Sequence, residues 1–373
     1  MLFASALSEH PVAAHAVGEV AGLILEKMNG HAIDLLVVFI DSAHTGAVDD
    51  ISSALADLLT PKTMLGTTAC GVIDRMTEIE DRHALAIWAA HGVSATAQRV
   101  APHAVAPDQG WTRADHCHGI LLADPFSSPV IELLAAADDQ TTEFHIHGGL
   151  ASGARGPGGN RLLLDREIFT NGAVGVILDA ATQVSSVVSQ GCRPIGMPLT
   201  VTGVSGNVVT ELASQPPMDV LKRLAGEASD ADRSLIAAGL HIGVVIDEGL
   251  HNFDRGDFLI RSVIGADPDT GAIAIGAEVD IGTTLQFQVR DASTASNDLR
   301  DMLSGQQAAA ALTFTCNGRG EHLFGHPGHD AELIHEATGS RASSGMFCAG
   351  ELGPVGSQNH LHGFTASTLL FHK

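Results

Sequence analysis

IDLLVVFID (33–41) is a continuous apolar run of strand length, as a strand covered on both faces requires. Residues 46–59 follow as a predicted helix, with Asp49 and Asp50 early, where the helix dipole favours carboxylates. TMLGTTACGV (63–72) starts as a strand and turns glycine-rich, and HALAIWAA (83–90) is another strand. The same order recurs. GILLADPF (119–126) is a strand, VIELLAAADD (130–139) a helix, EFHIHGGLASGARG (143–156) a strand running into glycines, and GAVGVILDA (172–180) a strand. The repeat matches 35–40 with 120–125, Gly66–Gly71 with Gly148–Gly153, and 84–90 with 173–179. ALTFTCNGRG (311–320), DAELIHEATG (330–339), GMFCAGELGP (345–354) and HGFTASTLLF (362–371) make a third copy. A period of about 80 residues reads as duplicated halves rather than a solenoid.

Upstream of this unit, residues 10–29 carry apolar positions at helical spacing, with Gly30 as the stop. Between the second and third copies, 183–210 is strand-rich, 216–228 is a helix opened by proline, and 240–248, 257–267 and 272–279 are strands. The pattern predicts an α/β protein of duplicated strand-helix-strand-strand units. They form mixed sheets flanked by helices, in two fused halves. The expected division is an N-terminal helix (1–29), a first domain (30–210) and a second (211–373), with the boundary inside 211–219.

The chain has 373 residues, with 20 Lys plus Arg against 43 Asp plus Glu and a formal charge of −23. Gripping a phosphate backbone takes clustered cations, so nucleic acid is not an expected partner. The acidic surface repels anionic membranes, and no apolar run reaches the ~20 residues of a membrane helix, so no membrane insertion is expected. With 45% hydrophobic and 17% charged residues, the composition suits a large core. The five cysteines are scattered, no two form a CxxC, and the N-terminus has no basic leader region, so a reducing, cytoplasmic location is expected.

No GxSxG, P-loop, HExxH or EF-hand pattern occurs, and GARGPGG (153–159) lacks the helix that would hold a pyrophosphate. Four glycine loops follow strands: GTTACG (66–71), GGLASG (148–153), CNGRG (316–320) and CAGELGP (348–354). Each alone reads as a tight turn. At equivalent points of a repeat they converge on a shared cleft, where small residues let a ligand approach backbone N–H groups. Arg319 and Glu351 stand inside two of these loops. They can clamp the two ends of an amino-acid-like zwitterion, or form a salt bridge with each other. The candidate ligand-binding residues are Thr67, Cys70, Ser152, Gln190, Arg193, Asn317, Arg319, Cys348 and Glu351. Cys70, Cys316 and Cys348 are either small buried hydrophobes or, with an activating neighbour, nucleophiles. The histidine pairs His116/His118, His145/His147, His326/His329 and His360/His362 complete no recognisable ligand set, so no metal site is assigned.

These motifs resemble the FIST domain family. LLVVFID (35–41), LGTTACGV (65–72), GGLASG (148–153), GAVGVIL (172–178) and QGCRPIGMPLTVT (190–202) resemble FIST N. MDVLKRL (218–224), FTCNGRGEHLFG (314–325), GMFCAGELGP (345–354) and HGFT (362–365) resemble FIST C. The resemblance covers about residues 30–371 and makes 30–210 the FIST N-like and 211–373 the FIST C-like domain. It implies a sensory module that binds a small ligand, with amino acids proposed, joined in many members to kinase, cyclase or chemoreceptor modules. Some members are described as haem-binding nitric-oxide sensors. This chain has no room for an output domain, so the expectation is a non-catalytic sensor signalling to a separate protein such as a histidine kinase or cyclase. A haem sensor, which a Soret band would reveal, and an enzyme using Cys70 or Cys348 with Glu351 are the alternatives.

Overall fold

The computed structural model of the chain describes residues 1–106, 117–139 and 143–373. They form two compact units, 1–189 with 299–373 and 190–298.

The larger unit is built on three copies of one module. The first runs β1 (Leu2–Ser8), α1 (Ala13–Met28), β2 (Leu35–Asp41), α2 (Val48–Leu59), β3 (Thr63–Ala69), the hairpin β4 (Gly71–Asp74) and β5 (Thr77–Glu80), and β6 (Leu85–His91). The second runs β7 (Ala95–Val100), β8 (Cys117–Ala123), α3 (Val130–Asp138), β9 (Phe144–Leu150), the hairpin β10 (Leu162–Leu164) and β11 (Glu167–Phe169), and β12 (Ala173–Leu178). The third opens with β13 (Val184–Gln190) and then leaves for the smaller unit.

That unit holds β14 (Cys192–Pro194), β15 (Leu199–Ser205), β16 (Val208–Leu212), α4 (Pro217–Glu227), α5 (Asp230–Ala238), β17 (Leu240–Val245), β18 (Phe258–Ala266), β19 (Ile273–Ile275) and β20 (Thr284–Arg290). Its seven strands form one antiparallel sheet over a core that includes Val201, Ile242, Phe287 and Val289. α6 (Ala292–Leu303) carries the chain back. The third module then resumes with β21 (Ala310–Cys316), α7 (Glu321–Phe324), α8 (His329–Thr338), β22 (Ala342–Cys348), the hairpin β23 (Glu351–Val355) and β24 (Gln358–His362), and β25 (Thr365–Phe371).

Each module pairs its two central strands in parallel: β2 with β3, β8 with β9, β21 with β22. The registers superimpose. Val38 faces Gly66, Leu121 faces Gly148, and Thr313 faces Gly345. A Cβ at these glycines would come within 2.6, 2.0 and 2.0 Å of the carbonyl oxygens of Val38, Leu121 and Thr313. The glycine is therefore a packing requirement of the module. The closing strand runs antiparallel beside the first central strand in every copy.

The hairpins do not stay at home. The β4–β5 hairpin joins the third module's sheet, β10–β11 the first's, and β23–β24 the second's. Three six-stranded mixed sheets result, in the orders β1-β6-β2-β3-β10-β11, β7-β12-β8-β9-β23-β24 and β13-β25-β21-β22-β4-β5. Their inner faces share one core, with Phe39 and Trp88 from the first sheet, Ile120 and Val176 from the second, and Phe314 and Phe371 from the third. Helices cover the outer faces. α1 and α2 pack with Ala16, Val20, Ile24, Ile51 and Leu55, α3 with Leu133, and α6 and α8 with Leu299, Leu303 and Ile334. The chain is thus a mixed α/β protein, as its repeated pattern predicts.

Candidate functional site

The second central strands end in equivalent crossing segments, 68–71, 150–153 and 347–350, before each chain leaves for its neighbour's sheet. These segments bond to one another. The Cys70 N–H donates to Ser152 Oγ at 3.0 Å, and the Ser152 hydroxyl donates to the Phe347 carbonyl at 2.5 Å. The Leu150 N–H donates to Gly350 O, Ala349 N–H to Leu150 O, and Gly153 N–H to Thr68 O. The glycine loops therefore meet, but as an interlocked junction and not as an open cleft. The exchange of hairpins is the reason, because each crossing segment must pass over its neighbour.

Arg319, Asp330 and Glu351 belong to the third module. Register places Cys316 where the other modules carry Asp41 and Asp124, and Cys348 where they carry Ala69 and Ala151. Glu351 faces Gly149, the position matched by Leu162 opposite Thr67 and by Val72 opposite Met346. One module thus buries a carboxyl where the other two bury hydrocarbon. Glu351 is fully buried, and its Oε2 accepts from the Thr365 N–H and hydroxyl at 3.1 and 2.8 Å. Its Oε1 has no hydrogen-bond partner. Burial pushes this carboxyl up to about 8, against the opposing pull of Thr365 and the Arg319 charge.

Arg319 is also fully buried. Its Nε and Nη2 donate to Asp330 at 2.7 and 2.8 Å, a bidentate pair, and Phe324 covers the guanidinium at 5.3 Å. Asp330 also accepts from the Thr315 hydroxyl and touches His329. Burial alone would raise the Asp330 carboxyl, but Arg319 overrides it and holds it well below the usual range. Glu78, from an exchanged hairpin, accepts from the Gly328 and Ala331 N–H groups at the start of α8. Burial and the Asp330 charge push it up to about 8. Arg319 thus pairs with Asp330 and makes no salt bridge with Glu351. Its Nη1 is buried without a partner.

Seven of the nine candidate residues lie in the larger unit. Cys70, Ser152, Asn317, Arg319, Cys348 and Glu351 meet at or beneath the junction, where Asn317 N–H donates to Cys348 O. Cys70 and Ser152 are half-buried at its rim and Asn317 is exposed. Thr67 is buried lower on β3 and donates to Arg161 O. Gln190 and Arg193 belong to the smaller unit. There Gln190 donates to Phe258 O, and Arg193 pairs with Asp232 and Asp291 beside a pocket of about 240 Å³. Burial pushes the Cys70, Cys316 and Cys348 thiols up, which leaves them poor nucleophiles. Asp330 and Glu78 are the partners that sequence reasoning missed. Asp330 opens α8, and its reach back to Arg319 becomes visible only once the loop is folded.

The histidines divide. His116 lies outside the described residues. His118, His145 and His147 come together on one face of the β8–β9 pair. Burial pushes His118 down to about 4 and holds His147 well below the ordinary range. For haem, an axial nitrogen must face a wide apolar pocket. A pocket of about 790 Å³ in the larger unit offers only His372, and both its ring nitrogens are engaged, by Ser185 and by Gln307 O. That pocket does not fit haem.

Three β-α-β modules with exchanged hairpins, a second unit inserted within the third, and a buried Arg–Asp pair at the loop junction define a modular α/β class. The chain belongs to the FIST family: FIST N matches residues 34–215 and FIST C matches 217–354. The family's domains are associated with sensory and signalling roles and small-ligand binding, and they are not known for catalysis. The chain is 40% identical over 378 residues to the uncharacterized protein Rv0628c of Mycobacterium tuberculosis, covering 98% of each. It is 41% identical over 374 residues to the uncharacterized protein Mb0898c of Mycobacterium bovis, covering 97% of this chain and 96% of the other. Among the described residues no helix is long and apolar enough to cross a membrane.

Proposed function

We propose that this protein is a non-catalytic cytoplasmic sensor. It binds a small amino-acid-like molecule between Arg319 and Glu351 and signals to a separate protein such as a histidine kinase or cyclase. One observation carries the reading. Two fully buried groups of opposite charge type each keep one atom unpartnered, Arg319 Nη1 and Glu351 Oε1. An unsatisfied buried polar atom costs about 1–3 kcal/mol, so a fold that retains two of them on groups within electrostatic reach of each other has a reason to. Asp330 already orients the guanidinium, which leaves Nη1 to donate to a ligand carboxylate. Glu351 Oε1 accepts from the ligand ammonium. A bound ammonium stabilises the ionised carboxyl, so binding near neutral pH releases a proton from Glu351. Entry passes the rim of Cys70, Ser152 and Asn317 and requires the junction to loosen. That opening is the two-state element which a partner reads.

The test is a thermal-shift panel of the free amino acids on the full chain, with native mass spectrometry of the purified protein. Stabilisation by one of them, lost in Glu351→Gln, supports the reading. Failure of every amino acid to stabilise at high concentration, with no small mass retained, overturns it.

A further inference from the structure

Opposite the loop junction, at the start of the central strands, the second module departs from the other two. His118 occupies the position of Leu35 and Ala310. His145, directly across from it, occupies that of Thr63 and Ala342, and His147 that of Leu65 and Ser344. Leu35, Leu65, Ala310 and Ala342 belong to the shared core, so three imidazoles stand where the scaffold elsewhere needs only apolar or small side chains.

The geometry points to a divalent transition-metal site, zinc by ligand chemistry, formed by His118, His145 and His147. His118 Nδ1 lies 3.1 Å from His147 Nε2. Two imidazole nitrogens on a tetrahedral zinc at ~2.05 Å stand ~3.3 Å apart, so the pair is already at ligand spacing. His145 is held at the same place, its ring centroid 5.5 Å from that of His118. Its Nε2 meets Glu143 at 3.1 Å. A carboxylate there keeps the proton on Nε2 and leaves Nδ1 as a bare lone pair, as the outer carboxylates of metal-bound histidines do. That Nδ1 is buried without a hydrogen-bond partner. As the rings stand, no three donors converge among the described residues. His145 is the ring that must tilt, and Glu143, exposed enough to follow, tilts with it. The metal takes the place of the proton shared between His118 and His147. Three neutral imidazoles leave a fourth position open to water or a ligand, as three-histidine zinc sites do.

The other modules supply variants that the scaffold already tolerates. His118→Leu copies Leu35 and His145→Thr copies Thr63. The experiment titrates the untagged full chain with Co²⁺, read by its visible d–d absorption. It is repeated with Zn²⁺, read by native mass spectrometry and thermal shift. The wild type should bind one equivalent and gain thermal stability. Both variants should keep the melting temperature of the metal-free wild type and lose at least tenfold in affinity. Absence of stoichiometric binding by the wild type overturns the site, as does wild-type affinity in both variants.

Discussion

The first and third modules share strand order, register and the glycine that faces Val38 or Thr313, yet they spend their inner positions differently. The first fills the strand ends with Thr67 and Ala69 and takes Leu162 from the exchanged hairpin. The third has Cys316, Cys348 and Arg319, and it lends Glu351 to its neighbour's sheet. The difference separates two jobs. Register, glycine and hairpin exchange are common property and hold the fold. At the Glu351 position a carboxyl appears in one copy only, where Leu162 and Val72 of its siblings show that hydrocarbon suffices. A buried carboxyl at such a position is therefore not required by the scaffold.

The comparison breaks first at Arg319. Arg319→Ala strands Asp330 as a buried, uncompensated charge beside Glu78, and loss of one partner of such a pair costs about 3–5 kcal/mol. Thermal unfolding should show the largest drop of any substitution at the junction. A drop no greater than that of an exposed residue would mean that the pair is not buried as described. Next come the shared glycines. Gly148→Ala and Gly345→Ala drive a Cβ to 2.0 Å from a backbone oxygen, Gly66→Ala to 2.6 Å. Gly148 also has φ +134, outside the range of an L side chain. Overpacking of about 1–3 kcal/mol is expected, with Gly148 and Gly345 worse than Gly66, measured by urea denaturation. An inverted order would show that the modules do not share this constraint.

Glu351 sharpens the contrast through pH. Its carboxyl titrates near 8 in the fold and near 4.5 when unfolded. Below about 4.5 both states are protonated and the group adds nothing. Between these values the folded state holds the extra proton, so stability falls as pH rises, approaching about 1.4 kcal/mol per unit. Glu78 acts in the same direction, so the useful quantity is a difference. Glu351→Gln should gain melting temperature relative to the wild type progressively from pH 5 to 8. A difference that stays flat would show that Glu351 ionises normally.

Much of this was legible beforehand, and the exceptions have physical causes. The strand-helix-strand order was readable because the first central strand of each module is largely buried on both faces and hence mostly apolar, without alternation. That lack of alternation erased phase. The apolar runs suggest matching 35–40 with 120–125, whereas the ladder matches Leu35 with His118, and only the glycines gave the true offset. The hairpins were missed because their strands run to only three to five residues and their partners lie in another module. The meeting of the glycine loops follows from the repeat, but its closure does not, because hairpin exchange leaves no local pattern. His118 and His145 face each other only through parallel pairing, so spacing along the chain could not join them.

The smallest effect tests what holds an exchanged hairpin in place. At the β10–β11 turn, Arg166 pairs with Asp57 of α2 at 2.8 Å, the only ion pair described between that hairpin and its host sheet's helices. Both side chains are about two-thirds exposed, at 65% and 68%. Such pairs contribute at most about 1 kcal/mol and weaken with salt. The backbone offers far more, since β10 pairs with β3 through Leu162–Thr67 to Leu164–Leu65, and Asp165 bonds Met64 through both its N–H and its side chain. Leu162 and Leu163 are fully buried. Arg166→Ala should therefore shift stability by no more than about 0.5 kcal/mol, and the wild-type advantage should vanish as ionic strength rises. A larger, salt-sensitive loss would mean that charge, and not the ladder, decides which sheet receives the hairpin. The common scaffold would then depend on a residue that its other modules need not share.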